Sequence, residues 1–146
     1  MIAKLNRYFI AGAIVALTSA AALAQEVVKD EILLSGNYEI TQLNADSVSV
    51  SMTFSATISN TGPKDVSGKI VLNNPSVIQK FYNEFGSQSI PAGGNVSISD
   101  TVTVPREEYN AWLSRGPNLT FYAQNDRGEL KTFRIPLVGK TPAPKE

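Results

Sequence analysis

No cysteine and no histidine occur among the 146 residues. Without cysteine there is no disulfide, so an exported chain of this kind must hold its fold by its core alone. A lipid-anchored exported form, which needs a cysteine after the cleavage site, is excluded as well. Zinc, copper and iron sites lean on His and Cys, so they are not expected. The Ser-His-Asp and Cys-His nucleophilic arrangements are impossible. An excess of charge of one sign is also missing, with 13 basic against 13 acidic residues. The basic residues are scattered singly. Nucleic-acid binding needs a basic patch that displaces counterions from phosphates, so that class is rejected. Long apolar runs are scarce too. The one run, Tyr8 to Leu17, falls short of the about 20 residues a spanning helix needs, and no later segment comes closer.

What is present begins with that run. Lys4 and Arg7 precede it, and Ala22-Leu23-Ala24 forms an A-x-A cleavage signature before Gln25. The pattern reads as a secretory signal peptide over residues 1–24. The expectation is a protein that works in the periplasm or outside the cell, with no stable membrane insertion once the leader is cleaved. The 146 residues less a leader of 24 leave 122, enough for one domain that hides about two-thirds of its chain surface. The 13 basic residues less Lys4 and Arg7 leave 11 against 13 acidic, a net charge of −2.

The clearest pattern in the mature part is an alternation. Val48, Val50, Met52, Phe54, Ala56 and Ile58 alternate with Ser47, Ser49, Ser51, Thr53, Ser55, Thr57 and Ser59. A period of two puts one set on each face of a strand. Asn60-Thr61-Gly62-Pro63 stops it with turn chemistry. Val66 to Asn73 reads as the next strand, hairpinned to its predecessor. Asn95 to Val104 alternates again, except that Asp100 falls on the apolar phase and marks a bulge or a place where the strand leaves the core. Glu31 to Gln42 is a weaker strand with a break at Ser35-Gly36-Asn37. Leu119 to Gln124 and Leu130 to Val138 flank Asn125-Asp126-Arg127-Gly128, a hairpin turn.

Two stretches read as helices. Asn74 can cap a helix with Pro75 in its first position, and Val77, Ile78, Phe81, Tyr82 and Phe85 recur at helical spacing up to Gly86. Pro105 opens the second, with Glu107 and Glu108 at the positive end of its dipole and Gly116-Pro117 at its close. Tyr109, Trp112 and Leu113 share a face of it.

The expected fold is all-β: a sandwich of two antiparallel sheets, about seven strands, with two short connecting helices. The Asn60-Thr61-Gly62 turn before Val66-Ser67-Gly68-Lys69-Ile70, and Ile90-Pro91-Ala92-Gly93-Gly94 before a Ser/Thr-rich strand, resemble bacterial exported immunoglobulin-like domains. The resemblance spans roughly Val48 to Val104 and rests on turn chemistry. It implies an immunoglobulin-like architecture, in modules that usually bind or space things and rarely catalyse; the Cys and Trp pair of antibody domains is missing. The domain is expected over 25–139, with a loose tail over 140–146.

Candidate sites follow from residue types. Tyr109 with Trp112 is either an aromatic pair for a sugar ring or partner protein, or a plug for one end of the sandwich, which amphipathic spacing favours. Phe81, Tyr82 and Phe85 either line a groove or cover a sheet edge. Asp126 with Glu129, or Asp65, lacks the D-x-D-x-D-G calcium pattern. Glu107 and Glu108 are adjacent on a helix and cannot face one another as a glycosidase pair must. Asn95-Val96-Ser97 and Asn118-Leu119-Thr120 match the glycosylation sequon, which matters only in a eukaryotic secretory route.

These readings lead to a non-catalytic exported module, without cofactor or metal, recognising a protein or glycan partner in the envelope or outside the cell. Its candidate interaction surface is Tyr109, Trp112, Phe81 and Tyr82. The alternative is a structural subunit of a surface or envelope assembly, its Ser/Thr-faced strands suited to stacking. A carboxylate-based hydrolase ranks last, because no acid/base constellation can be assembled. Oligomeric state is left open.

Overall fold

The computed structural model describes residues 32–124 and 128–144; the expected leader lies outside them. The described residues form two four-stranded sheets. Strands β1 (Leu34–Ala45), β2 (Ser49–Asn60), β3 (Val66–Asn73), β4 (Phe81–Ile90) and β5 (Asn95–Pro105) are followed by helix α1 (Arg106–Arg115). Strands β6 (Leu119–Gln124), β7 (Leu130–Ile135) and β8 (Leu137–Gly139) complete the fold. One sheet has the order β5-β2-β1-β8 and the other β4-β3-β6-β7. Pairing is antiparallel throughout, except that β8 runs parallel to β1.

The alternating strands behave as their period requires. Val50, Met52, Phe54, Ala56 and Ile58 of β2 are buried, as are Ile98, Val102 and Val104 of β5, while the hydroxyl residues between them lie on the outer face. The β2–β5 register runs unbroken from Ser49↔Pro105 to Ser59↔Asn95. Phe54 sits at the centre of the core. Tyr38 stacks on it at 5.9 Å, Phe85 tilts against it at 5.9 Å, and Trp112 meets it edge-on at 6.2 Å. Burying each ring of this size contributes about 2 kcal/mol.

Several expectations need correcting. Strand β3 does not hairpin with β2; it crosses into the other sheet, where it pairs with β4 and β6. Both edges of β2 are already taken by β1 and β5. Buried Asn60 makes the corner. Its Nδ2 donates to Lys64 O (2.8 Å) and Ile90 O (3.0 Å), and its Oδ1 accepts from Gly62 N (2.9 Å). Its backbone exchanges bonds with Gly93 and Gly94. The two turn motifs of the sequence therefore meet at one residue, through its side chain and its backbone.

The first of the two expected helices is absent, so α1 is the single helix among the described residues. Asn74 does cap: its Oδ1 accepts from Ser76 N and Val77 N at 2.8 and 2.9 Å. The turn then closes back through Asn74 N to Lys80 O, and Phe81 starts strand β4. Register shifts in β3–β4 pairing, together with Gly86 at φ +85°, displace the apolar residues from a simple two-residue period. That displacement imitates helical spacing.

Strand β1 has no break at Ser35-Gly36-Asn37. Gly36 pairs with Ile58 and Leu137, and a Cβ there would lie 2.7 Å from Ile58 Cδ1, so glycine serves close approach. The irregularity lies instead between Thr41 and Asn44, with Gln42 at φ +53°. Asp100 makes no bulge; on an edge strand it stays exposed and accepts from Asn83 Nδ2 (3.3 Å) and Thr101 N (2.9 Å). Strands β6 and β7 pair antiparallel as expected, while Asn125, Asp126 and Arg127 of the expected turn lie outside the described residues. The strand from Leu130 ends at Ile135, because Pro136 cannot donate to a ladder, and β8 passes to the first sheet. The start of the expected loose tail is fastened: Tyr38 Oη and Thr141 Oγ1 lie 2.8 Å apart, and Tyr109 Oη donates to Pro142 O at 2.6 Å.

Candidate functional site

The four residues expected to form a contact surface go to three places. Tyr109 and Trp112 are 0% and 1% exposed, with rings 5.5 Å apart in the core. They plug the sandwich and offer nothing to a surface partner, because the apolar face of α1 has nowhere else to bury. Burial, with Tyr38 nearby, pushes the Tyr109 hydroxyl up to about 12, so it remains a donor.

Tyr82 joins a polar network centred on Glu108. The Glu108 carboxylate is buried and accepts from Trp112 Nε1 (2.7 Å) and Arg115 Nη2 (2.7 Å) through one oxygen. Its other oxygen accepts from Tyr82 Oη and Asn74 Nδ2, each at 3.2 Å. Burial raises the Tyr82 hydroxyl above its ordinary value, with the Glu108 charge acting the same way. The arrangement ties α1 to β4 and to the 74–80 turn. Every strong acceptor site is answered, and the Arg115 pairing neutralises the charge, so its role is structural. The spacing of Glu108 to Trp112 by four and to Arg115 by seven was the available signal in the sequence.

Phe81 faces outward. It is 41% exposed and meets Tyr122 edge-on, with centroids 5.8 Å apart and planes at 69°. The two rings sit in a shallow groove of about 590 Å³ on the outer face of the second sheet. Val71 and Leu130 add apolar floor, and Leu130 is 62% exposed. Ser67, Ser87, Ser89, Gln88 and Lys69 supply a polar rim, and Lys69 pairs with Glu84 at 3.2 Å. Exposed Ile78 and Val77 lie on the 74–80 turn, which Tyr122 Oη touches through Ile78 O. Sequence reasoning missed Tyr122 and Leu130. Leu119, Phe121 and Ala123 of β6 point inward, so an aromatic at 122 stands on the phase that should be polar. That misplacement was the legible clue.

The remaining candidates resolve simply. Asp65 Oδ1 accepts from Ala92 N at 2.9 Å and so braces a turn. Asp126 lies outside the described residues. Among the described residues no three acidic side chains gather to hold a metal ion. Asn118 is buried, bonded to Asn73 Oδ1 at 2.8 Å, so its sequon is out of reach in the folded chain, whereas Asn95 is exposed. Among the described residues no helix is long and apolar enough to cross a membrane.

No protein family matches the chain, and no curated protein does. Two solved structures show distant likenesses. An X-ray structure of Northeast Structural Genomics Consortium target SoR45 is 15% identical over 75% of this chain and 89% of its own, with a TM-score of 0.33. A beta-glucosidase from Kluyveromyces marxianus is 10% identical over 72% of this chain and 14% of its own, with a TM-score of 0.21. Likenesses this remote carry no argument about fold or function.

Proposed function

We propose that this chain is an exported, non-catalytic immunoglobulin-like module that binds a protein or glycan partner in the cell envelope or outside the cell. Its binding face is the outer groove of the second sheet. The observation that carries the reading is exposed Phe81 and Leu130 with half-buried Tyr122, on a face where strand alternation calls for polar residues. Rings beside hydroxyl and amide groups suit the apolar face of a sugar or the side chains of an extended peptide. The immunoglobulin-like assignment draws support from the wiring. Strands β1, β2, β5 and β8 share one sheet and β4, β3, β6 and β7 the other, with chain crossings after β2, β4, β5 and β7. Export draws support from the leader pattern, and the non-catalytic reading from the lack of His and Cys.

The test is retention of a partner from an envelope extract or on a glycan array. The Phe81→Ser/Tyr122→Ser double variant is expected to weaken retention more than tenfold, the effect of removing interface anchors, with an unchanged circular dichroism spectrum. Undiminished retention by that variant, or no retention by the unsubstituted protein in either format, overturns the reading.

A second reading, a subunit of a surface assembly, draws on the hydroxylated outer face of the first sheet. Sedimentation decides it, since a strict monomer at high concentration rules out self-stacking.

A further inference from the structure

The end of the sandwich where α1 stops carries a second recess, separate from the outer groove. It is a cleft of about 370 Å³, within the size range of small-molecule sites. Its walls come from the first strand (Tyr38), the end of the helix (Ser114, Arg115), the seventh strand (Arg134) and the segment after β8 (Lys140, Thr141). Among the described residues, three that line it are cationic and none is acidic. Arg115 is already committed, to Glu108 Oε2 at 2.7 Å and Gly116 O at 2.8 Å. Arg134 and Lys140 are exposed and enter no ion pair among the described residues. The Tyr38 and Thr141 hydroxyls share one mutual hydrogen bond of 2.8 Å. One O–H is spent in that bond, and the other is free to donate into the cleft.

Two uncommitted cations and a spare hydroxyl donor, with no carboxylate on the walls among the described residues, make a recess that favours negative charge. We propose that this cleft binds a small organic anion through a carboxylate or phosphate group held between Arg134 and Lys140. The hydroxyl of the Tyr38–Thr141 pair hydrogen-bonds the same group. Leu113, Pro117 and Leu137 line the recess beside the charges and receive the rest of the molecule. Because the cleft draws its walls from both sheets, the helix end and the last segment, the site exists only in the folded domain.

The chain's single tryptophan, Trp112, also lines the cleft, so its emission reports occupancy. The experiment titrates the purified protein with glucuronate, with inorganic phosphate and with neutral glucose, at matched ionic strength. Calorimetry runs in parallel, so that a silent fluorophore does not hide binding. A saturable response to glucuronate or to phosphate, absent with glucose, is expected; which of the two anions responds assigns carboxylate or phosphate chemistry. Arg134→Gln and Lys140→Gln are each expected to weaken that response about tenfold, as loss of one charge-assisted hydrogen bond does. Their melting temperatures should stay unchanged, since both side chains are exposed. The Phe81→Ser/Tyr122→Ser variant should bind the anion as the unsubstituted protein does, which keeps this site distinct from the outer groove. No response to either anion, an equal response to glucose, or full-strength binding by the Arg134→Gln/Lys140→Gln double variant overturns the proposal.

Discussion

The two outer faces of the sandwich obey the same strand geometry and carry opposite chemistry. On the first sheet the outward positions are Ser and Thr in almost every rank of β2 and β5. They satisfy one another across strands: Ser51 with Thr103 at 2.8 Å, Ser55 with Ser99 at 2.8 Å, Thr57 with Ser97 at 3.4 Å. On the second sheet the pattern begins the same way, with Ser67 and Ser89 at 3.0 Å. It then gives way to Val71, Phe81, Tyr122 and Leu130. Water can cover either face, but the second gathers exposed apolar side chains into a groove, whereas on the first Val138 of edge strand β8 stands by itself. The regular face shows what this chain does where folding alone sets the residues. The departures on the other face are then the places where something else is at work. The same contrast holds along the backbone, since the β2–β5 register is unbroken and the β3–β4 register shifts twice.

The largest way to break the comparison is to release the irregular sheet while leaving the regular one intact. Glu108 is the point to cut, because it holds β4 and the 74–80 turn to the helix and has no bond to β2 or β5 among those described. Glu108→Ala strands Arg115 and the Trp112 indole N–H, and is expected to cost about 3 kcal/mol, at the lower end for a buried pair because Arg115 is partly exposed. Hydrogen exchange should then quicken at β4 amides before those of β2. Equal acceleration in both sheets would show that the network serves the whole core and not the irregular edge.

A smaller effect tests how the last segment is fastened. The Tyr109 hydroxyl bonds to Pro142 O only while protonated, and burial pushes it from 10.0 up to about 12. A raised folded value means that this contribution is complete below pH 10 and is lost as pH climbs through about 12. Melting temperature should fall across that window. Tyr109→Phe is expected to lower stability by about 1 kcal/mol at neutral pH, through the missing hydrogen bond, and to flatten the alkaline decline. Tyr82, raised in the same direction, leaves a residual slope. An alkaline profile identical in Tyr109→Phe and the unsubstituted protein would place the loss elsewhere.

What could be read from residue order divides along the same line. Strands β2 and β5 and helix α1 are legible because their periods run nearly unbroken, Asp100 being the one exception in β5, and the β6–β7 pairing because turn residues separate two apolar runs. Strand β4 is not, because its bulges shift Phe81, Tyr82 and Phe85 out of phase. The partner of β3 was illegible for another reason: pairing depends on which edges of β2 remain open, and β5 reaches that edge from 35 or more residues away, as in Ser59↔Asn95. The Glu108 network draws on Asn74, 34 residues distant, and Tyr82, 26 residues distant. Local spacing showed its helical half alone. The aromatic surface is half legible: Phe81 stands in a run of aromatics, while Tyr122 is a single out-of-phase ring in an otherwise clean strand.

The smallest expected effect is the sharpest control on the comparison. Ser55→Ala with Ser99→Ala removes both partners of one cross-strand bond on the regular face. No donor is left stranded, since both hydroxyls go together and the neighbouring backbone ladder is untouched. The change should stay within about 0.5 kcal/mol, the range of surface substitutions that break no special feature. Partner retention through Phe81 and Tyr122 should be unaltered, because those rings lie on the opposite sheet. If the double alanine variant instead lost its partner while melting normally, the hydroxyl face would be the recognising one, and the roles assigned to the two faces would have to be exchanged. A chemical denaturation curve and one retention measurement on this variant therefore decide which face is scaffold and which is site.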